Sequence, residues 1–195
     1  MRATVSPRTF DSAAHVLSFI GSPPVLALPI ALLIGIRASG SPSALQSVAE
    51  LLLAASVLPT VCTFALFRAG RTSTLDLREH SDRAVPSAIT ALSCVVGWAF
   101  LRFSAAPTDV TNLAIAVAAQ MSLLALLTRR WKVSYHAASA AALVAVSRPL
   151  ANPSLTLTLL LLACCVGWAR VHQRRHTVNE VLVGALTTLP IGVLV

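Results

Sequence analysis

Long apolar stretches separated by short polar joints run through the whole chain. The apolar segments lie at about residues 14–36, 44–67, 86–104, 109–128, 136–149, 154–169 and 177–195. A membrane-spanning helix needs about 20 apolar residues. The fifth segment is clearly shorter than this, so we expect it to be partly buried among the neighbouring helices. Pro23, Pro24 and Pro29 predict a kinked or broken first segment. The pattern predicts an all-α, polytopic transmembrane helix bundle of six or seven helices.

The polar joints between these segments alternate in character. Three are short and nearly uncharged, at 37–43, 105–108 and 150–153. The other three are rich in arginine, at 68–85, 129–135 and 170–176. Two predicted helices separate each charged joint from the next, so an even number of crossings returns the chain to the same side. We therefore expect a site at one membrane face, with N-terminal transmembrane helices in residues 1–67 and the joint-bearing core in 68–195 of a single membrane domain.

Composition agrees with a membrane protein, because 56% of the residues are hydrophobic and 11% are charged, against about 25% charged in a soluble domain. The net charge of +8 would favour nucleic acid as the partner of a soluble protein. Here the cations stand at the ends of apolar segments, so we expect the bilayer and a lipid phosphate as partners, and no nucleic acid. The cysteines lie inside apolar segments without C-x-x-C spacing, which predicts packing residues: Cys62, Cys94, Cys164 and Cys165.

The third charged joint carries the most distinctive polar pattern. His176 and Glu180 stand four positions apart and would share a face of a helix. A carboxylate beside an imidazole fixes its tautomer and strengthens it as a base or nucleophile, while Arg170 can donate two hydrogen bonds to a phosphate. One alternative is a metal or haem held by His172 and His176, which the nearby arginines disfavour. Another is a basic stripe that binds acidic lipid headgroups.

The first charged joint supplies Arg78 and Arg83 as candidate phosphate ligands, with a solvated loop as the alternative. Its acidic residues and its histidine could instead hold Mg²⁺ with a diphosphate: Asp76, Glu79, His80 and Asp82. An intramembrane prenyltransferase works in this way, but it needs two aspartate-rich loops. The other charged joints supply only one acidic residue, Glu180, and so no second aspartate-rich loop.

The second charged joint contains two phosphate donors by residue type, Lys132 and Ser134. If Ser134 lies near the start of the following helix, free backbone N–H groups would add to an anion site. His136 could give a proton to a leaving group. Its alternative role is that of a capping or interfacial residue.

These three stretches together resemble the type-2 phosphatidic acid phosphatase superfamily, metal-independent lipid phosphatases related to vanadium haloperoxidases. The third motif of that family, S-R-x5-H-x3-D, is matched in spacing by Ala169, Arg170, His176 and Glu180. Its second motif, P-S-G-H, is similar to Val133, Ser134, Tyr135 and His136. Its first motif, K-x6-R-P, is loosely similar to Arg78, Arg83 and Pro86. The resemblance covers about residues 68–195 and departs from the family at Glu180 for Asp, Tyr135 for Gly and Ala169 for Ser.

The resemblance implies a phosphatase that needs no metal and no cofactor. His176 would be the nucleophile that forms a phosphohistidine, oriented by Glu180, and His136 would be the proton donor. The phosphate would be bound by Arg78, Arg83, Lys132, Ser134 and Arg170. We expect a lipid phosphate or diphosphate as substrate, of polyprenyl type rather than a two-chain glycerolipid, because the departures narrow the phosphate cradle.

Other classes of function stay open at this point. A non-catalytic lipid-binding or scaffold protein could use a degenerate phosphatase fold. A small transporter would place polar groups near the middle of its spans, whereas charge in this chain is almost confined to the joints, with Glu50 as the main exception.

The distribution of cations predicts which way the site faces. If seven segments span, twelve of the fifteen Lys and Arg residues lie on the side of the charged joints and three on the other. Without the four proposed cationic phosphate ligands, eight Lys and Arg residues remain on the side of the charged joints, against three on the other side. The positive-inside rule therefore predicts a multi-pass protein of the cell membrane whose site opens to the cytoplasm.

Overall fold

The computed structural model describes residues 7–75, 77 and 79–195, with side chains from residue 10 onward. Within these residues the regular structure is helical and contains no strand, which confirms the predicted all-α class. The α-helices are α1 (Pro7–Ile20), α2 (Pro23–Arg37), α3 (Ala44–Leu52), α4 (Leu58–Arg68), α5 (Ala84–Phe103), α6 (Thr108–Leu127), α7 (Tyr135–Ser147), α8 (Pro153–His172), α9 (Val178–Leu186) and α10 (Leu189–Leu194).

The described part of the chain contains four continuous helical stretches that are long and apolar enough to cross a membrane. They are Ala44–Arg68, Ser81–Phe103, Thr108–Leu127 and Pro153–His172. The pair α1 and α2 would make a fifth span if it is counted as one bent element. The 13 residues of α7 reach only about 20 Å at the rise of an α-helix, and the 17-residue stretch Val178–Leu194 is also short. The described helices are thus compatible with a multi-pass membrane protein of four or five spans, where the sequence predicts six or seven.

The first apolar segment is broken where its prolines predict. The axis turns by 53° between α1 and α2, and Ser22 has an extended backbone (φ −69°, ψ 144°), as expected for a residue before proline. Gly21 lies so close to α8 that an added Cβ would be 2.6 Å from both γ-carbons of Val166. Pro29, in contrast, lies inside α2 without ending it.

A π-helical turn, Leu53–Val57, joins α3 and α4 into one long stretch. Pro59 has no N–H group, so it cannot bond to the carbonyl of Ala54 five residues earlier. The hydroxyl of Ser93 in α5 donates to that carbonyl instead, at 2.6 Å. Gly97 in the next turn of α5 lets the two helices approach closely at the same point.

The core lies where α6 and α7 meet the helices around them. Its largest fully buried side chains include Ile34, Leu101, Leu113, Val146 and Ile191. A polar contact ties this core together, because Nε2 of Gln120 in α6 donates to the Ala138 carbonyl of α7 at 3.3 Å and to Oγ1 of Thr188 at 3.0 Å. Oγ1 of Thr188 in turn donates to the same carbonyl at 3.2 Å.

Candidate functional site

Side chains from all three charged joints line a cavity of about 390 Å³. Arg83 comes from the first joint, His136 directly follows the second, and Arg170 and His176 belong to the third. Much of the remaining wall, from α2, the π-helical turn, α4 and α5, carries hydroxyl groups: Ser22, Ser56, Thr60, Thr63, Ser87 and Thr90. The three charged joints, which we expected from the sequence to come together, therefore lie around this one cavity.

Arg83 lies at the start of α5, in a 3₁₀ turn formed by Ser81–Arg83, and its side chain is buried, with 6% of the residue exposed. Its Nε donates to the carbonyl of Leu77 at 2.8 Å, and its Nη1 donates to the carbonyl of Val133 at 3.0 Å. The guanidinium is thus fixed in the cavity wall, and it joins the first charged joint to the second.

His176 is held in a defined tautomer by a backbone carbonyl. Its Nδ1 lies 2.8 Å from the carbonyl oxygen of Lys132. A carbonyl oxygen only accepts, so Nδ1 must carry the proton of the neutral ring. The lone pair then resides on Nε2, the nitrogen that can act as a nucleophile or base.

The surroundings of His176 keep its ring uncharged at neutral pH. Burial lowers its pKa from 6.5 to about 4, and the neighbouring charges of Arg83 and Arg170 act in the same direction. The Lys132 carbonyl and Glu180 oppose this shift. Burial, which no sequence pattern reveals, is the largest of these contributions.

Glu180 contacts His176, but not across a helical face as the sequence predicts. The helix α9 begins at Val178, so His176 precedes it. Glu180, the third residue of α9, forms a capping box with Thr177, in which its Oε2 accepts from the N–H of Thr177 at 3.0 Å and its own N–H donates to Oγ1 of Thr177 at 3.3 Å. The same Oε2 lies 3.3 Å from Nδ1 of His176, farther than the Lys132 carbonyl. The T-x-x-E pattern that signals this cap is readable in the sequence.

His136 lies in the first turn of α7, a helix outside the candidate spans, and lines the cavity. Its pKa is lowered from 6.5 to about 3, mainly by burial and then, in decreasing order, by the charges of Arg170, His176 and Arg83. Without a ligand both histidines are therefore neutral near pH 7. The proton-donor role expected for His136 requires a proton that arrives with an anionic ligand.

Arg170 lies in the last turn of α8 and is also buried, with 5% of the residue exposed. Its Nη1 donates to Oγ of Ser18 in α1 at 2.5 Å. Its carbonyl accepts from the N–H groups of Arg175 and His176 at 3.0 and 3.3 Å, across a turn in which Arg174 has φ 53°. This turn brings His176 back towards the cavity. No sequence pattern indicates the contact with Ser18, which is 152 residues away.

Two of the expected phosphate ligands, Ser134 and Lys132, do not join this group through their side chains. Ser134 is fully buried, and its Oγ caps α7 by accepting from the N–H of Ala137 at 3.3 Å. Lys132 contributes its carbonyl to His176, but its side chain is not part of the cavity wall. Arg78 lies outside the described residues, as does Asp76 of the alternative metal site.

The fold and site together define a helical, membrane-compatible protein with a cavity lined by two buried guanidinium groups and two neutral imidazoles. Comparisons with protein-family models, with curated proteins and with solved structures found no match. Among the residues that the structure describes, no three His, Cys, Asp or Glu side chains are grouped so that they could hold a metal ion. By chemical type, the cavity can bind a phosphate group and attack it with a ring nitrogen.

Proposed function

We propose that the chain is a metal-independent membrane phosphatase that hydrolyses a lipid phosphate or diphosphate through a phosphohistidine. The observation that carries this proposal is the presence of Arg83, His136, Arg170 and His176 around one cavity among apolar helices. Phosphoryl transfer requires positioning and charge stabilisation more than covalent chemistry from the protein. Two fixed guanidiniums and a neutral imidazole supply both without a metal.

Binding of the phosphate falls to Arg83 and Arg170. Guanidinium groups match phosphate oxygens in geometry and charge, and both side chains are buried, where electrostatic attraction is stronger than in water. Arg83 is held by two carbonyls and Arg170 by Ser18. Donors that are already ordered cost little reorganisation when charge develops on the phosphoryl oxygens of the transition state.

His176 performs the attack in this proposal. The lone pair on Nε2 forms a bond to phosphorus while the bond from phosphorus to the lipid oxygen breaks. The ring becomes positively charged as the bond forms. Nδ1–H keeps its hydrogen bond to the Lys132 carbonyl, and the carboxylate of Glu180 stabilises the growing charge.

His136 carries the proton in both halves of the reaction. A phosphate monoester with a second pKa of about 6 binds partly as its monoanion, and its proton passes to His136. His136 then protonates the departing lipid oxygen, a form of acid catalysis that contributes about 10²–10⁴-fold. In the second half, His136 takes a proton from water as the water oxygen attacks the phosphohistidine. His136 returns this proton to the inorganic phosphate, which leaves as the monoanion, and both histidines are neutral again.

A second, mainly apolar cavity supports a slim single-chain lipid, such as a polyprenyl phosphate, as substrate. Its volume is about 80 Å³, and it shares Pro23, Ala55 and Met121 with the wall of the larger cavity. Aliphatic side chains from α2, α3, α6 and α7 surround it. A space of this size favours part of one hydrocarbon chain over two chains side by side.

We also propose that the protein resides in the cell membrane with its site open to the cytoplasm. In this arrangement the short helices α7 and α9 enter the bundle from the face of the charged joints. The excess of cations in those joints supports the orientation.

The division of labour between the two histidines provides the test. With a lipid phosphate, His176→Ala should abolish turnover and His136→Ala should nearly do so. With an aryl phosphate, whose leaving group needs little proton assistance, His136→Ala should recover part of its activity, because only the first half of the reaction is relieved, and His176→Ala should recover none. Equal losses on both substrates would contradict the assignment. Lipid binding without turnover by the wild-type protein would favour a non-catalytic lipid-binding protein.

A further inference from the structure

We infer that Ser18 is a positioning residue of the site, which sets the guanidinium of Arg170 through its hydroxyl. This inference rests on the proposed function and extends it to α1, outside the three charged joints. Ser18 is not part of the cavity wall. It therefore acts through Arg170 and not on the substrate itself.

The hydroxyl contact is short and buried. Nη1 of Arg170 donates to Oγ of Ser18 at 2.5 Å, and only 8% of Ser18 and 5% of Arg170 are exposed. An arginine side chain has several rotatable bonds and loses conformational freedom when its guanidinium is fixed. Since Ser18 fixes this group before a ligand arrives, less ordering remains for the phosphate to impose.

The position of Ser18 depends on how α1 is attached to α8. Near the start of α1, the ring of Phe10 packs edge-on against Trp168 with centroids 6.4 Å apart, and Asp11 lies 2.9 Å from Nε2 of His172. Just beyond its end, Gly21 lies against Val166 with no room for a Cβ. Contacts at both ends therefore hold Ser18 opposite the last turn of α8.

Ser18→Ala tests the hydroxyl, with Ser147→Ala as the matched control. Ser147 is also a fully buried helical serine, and its Oγ donates to a backbone carbonyl at 2.8 Å, but it lies outside the cavity wall. The purified full-length protein in detergent would be assayed for KM and kcat with a lipid phosphate and for the Kd of inorganic phosphate. Loss of a hydrogen bond to a charged group should raise KM and Kd about tenfold in Ser18→Ala. Ser18→Thr and Ser147→Ala should remain close to the wild type in both.

A double-mutant comparison separates positioning from general destabilisation. Because the Ser18 hydroxyl acts through Arg170, Ser18→Ala should change the Kd of phosphate less than about twofold in an Arg170→Ala background. If Ser18→Ala does not fold, Ser18→Cys replaces it, since a thiol is a weak acceptor of similar size. A Ser18 variant that matches Ser147→Ala in KM and Kd would overturn the inference, as would an undiminished effect without Arg170.

The placement of Ser18 is tested by Gly21→Ala, which pushes the turn after α1 away from α8. We expect the Kd of inorganic phosphate to rise, and Val166→Ala in the same chain to restore part of the affinity by making room. An unchanged Kd in Gly21→Ala would contradict the placement of Ser18 by the packing of α1 on α8.

Different results would refute the proposed phosphatase activity and the proposed role of Ser18. A wild-type protein that binds phosphate but releases none from any lipid would refute the phosphatase, while a weaker Kd in Ser18→Ala would still support Ser18 as the residue that orders the anion site. A wild-type protein that neither binds phosphate nor turns over a lipid phosphate would refute both.

Discussion

Gly184→Ala should disable the site without touching any proposed catalytic group. An added Cβ at residue 184 in α9 would lie 3.2 Å from the carbonyl carbon of Ser134 and 3.3 Å from its nitrogen, and nearer still to its oxygen. Ordinary contacts between carbon atoms are about 3.5–4.0 Å. The obstructing atoms are backbone at the start of α7, so they cannot rotate away, and α9 must move by close to 1 Å.

That movement would reach the site through the first turn of α9. The N–H of Ser134 donates to the carbonyl of Glu180 at 3.2 Å, and His176 lies just before the helix. A displacement of about 1 Å between reacting groups can lower a rate about 100-fold. Overpacking of this kind also destabilises a protein by about 1–3 kcal/mol. We therefore expect a loss of activity larger than the loss of stability explains.

Gly192→Ala in α10 is the matched control. The nearest atom to its added Cβ is 3.9 Å away, an ordinary contact, and alanine is the better helix former. Initial rates of phosphate release and midpoints of thermal unfolding would be measured for both variants in detergent. If Gly184→Ala has the activity and the stability of Gly192→Ala, then the close packing of α9 on Ser134 is not what holds His176.

Three further predictions concern charge and orientation. The pKa of His176 is about 4 in the folded protein, below its ordinary value of 6.5, so its contribution to stability should fall by up to about 3 kcal/mol as pH drops from about 6.5 towards 4. His136, with a pKa of about 3, adds a decline over the same pH range, so His176→Gln should make the decline in unfolding curves shallower without abolishing it. Glu180→Gln should keep the cap of α9 and lower kcat about tenfold by removing the charge, and a loss of stability as large as that of Glu180→Ala would contradict this. In a background without native cysteines, an impermeant thiol reagent applied to intact cells should label Ser104→Cys and not Ser73→Cys; the reverse would overturn the cytoplasmic orientation.

The helical framework was readable from the sequence because a bilayer leaves few alternatives. Backbone groups in lipid must bond within their own helix, so apolar stretches bounded by proline and glycine became helices, and the break before Pro23 falls where predicted. The sequence alone did not determine the number of membrane-spanning helices. Hydropathy does not distinguish a full span from a shorter apolar helix buried in the bundle, such as α7.

The site was only partly predictable for a related reason. Residue type and spacing identified Arg83, Arg170, His136 and His176, which line the cavity together. Spacing alone could not show that Lys132 would contribute its carbonyl and not its side chain. Contacts between segments that are far apart in the sequence leave no local pattern.

The central claim is that this cavity cleaves lipid phosphates by histidine chemistry without a metal. Phosphate release should be measured from a panel of lipid monophosphates and diphosphates, in detergent with EDTA, for the wild-type protein and for His176→Ala. We expect release by the wild-type protein that EDTA leaves unchanged and that His176→Ala abolishes, with a single-chain lipid preferred. No release from any lipid by the wild-type protein, release that EDTA abolishes, or equal release by His176→Ala would contradict it.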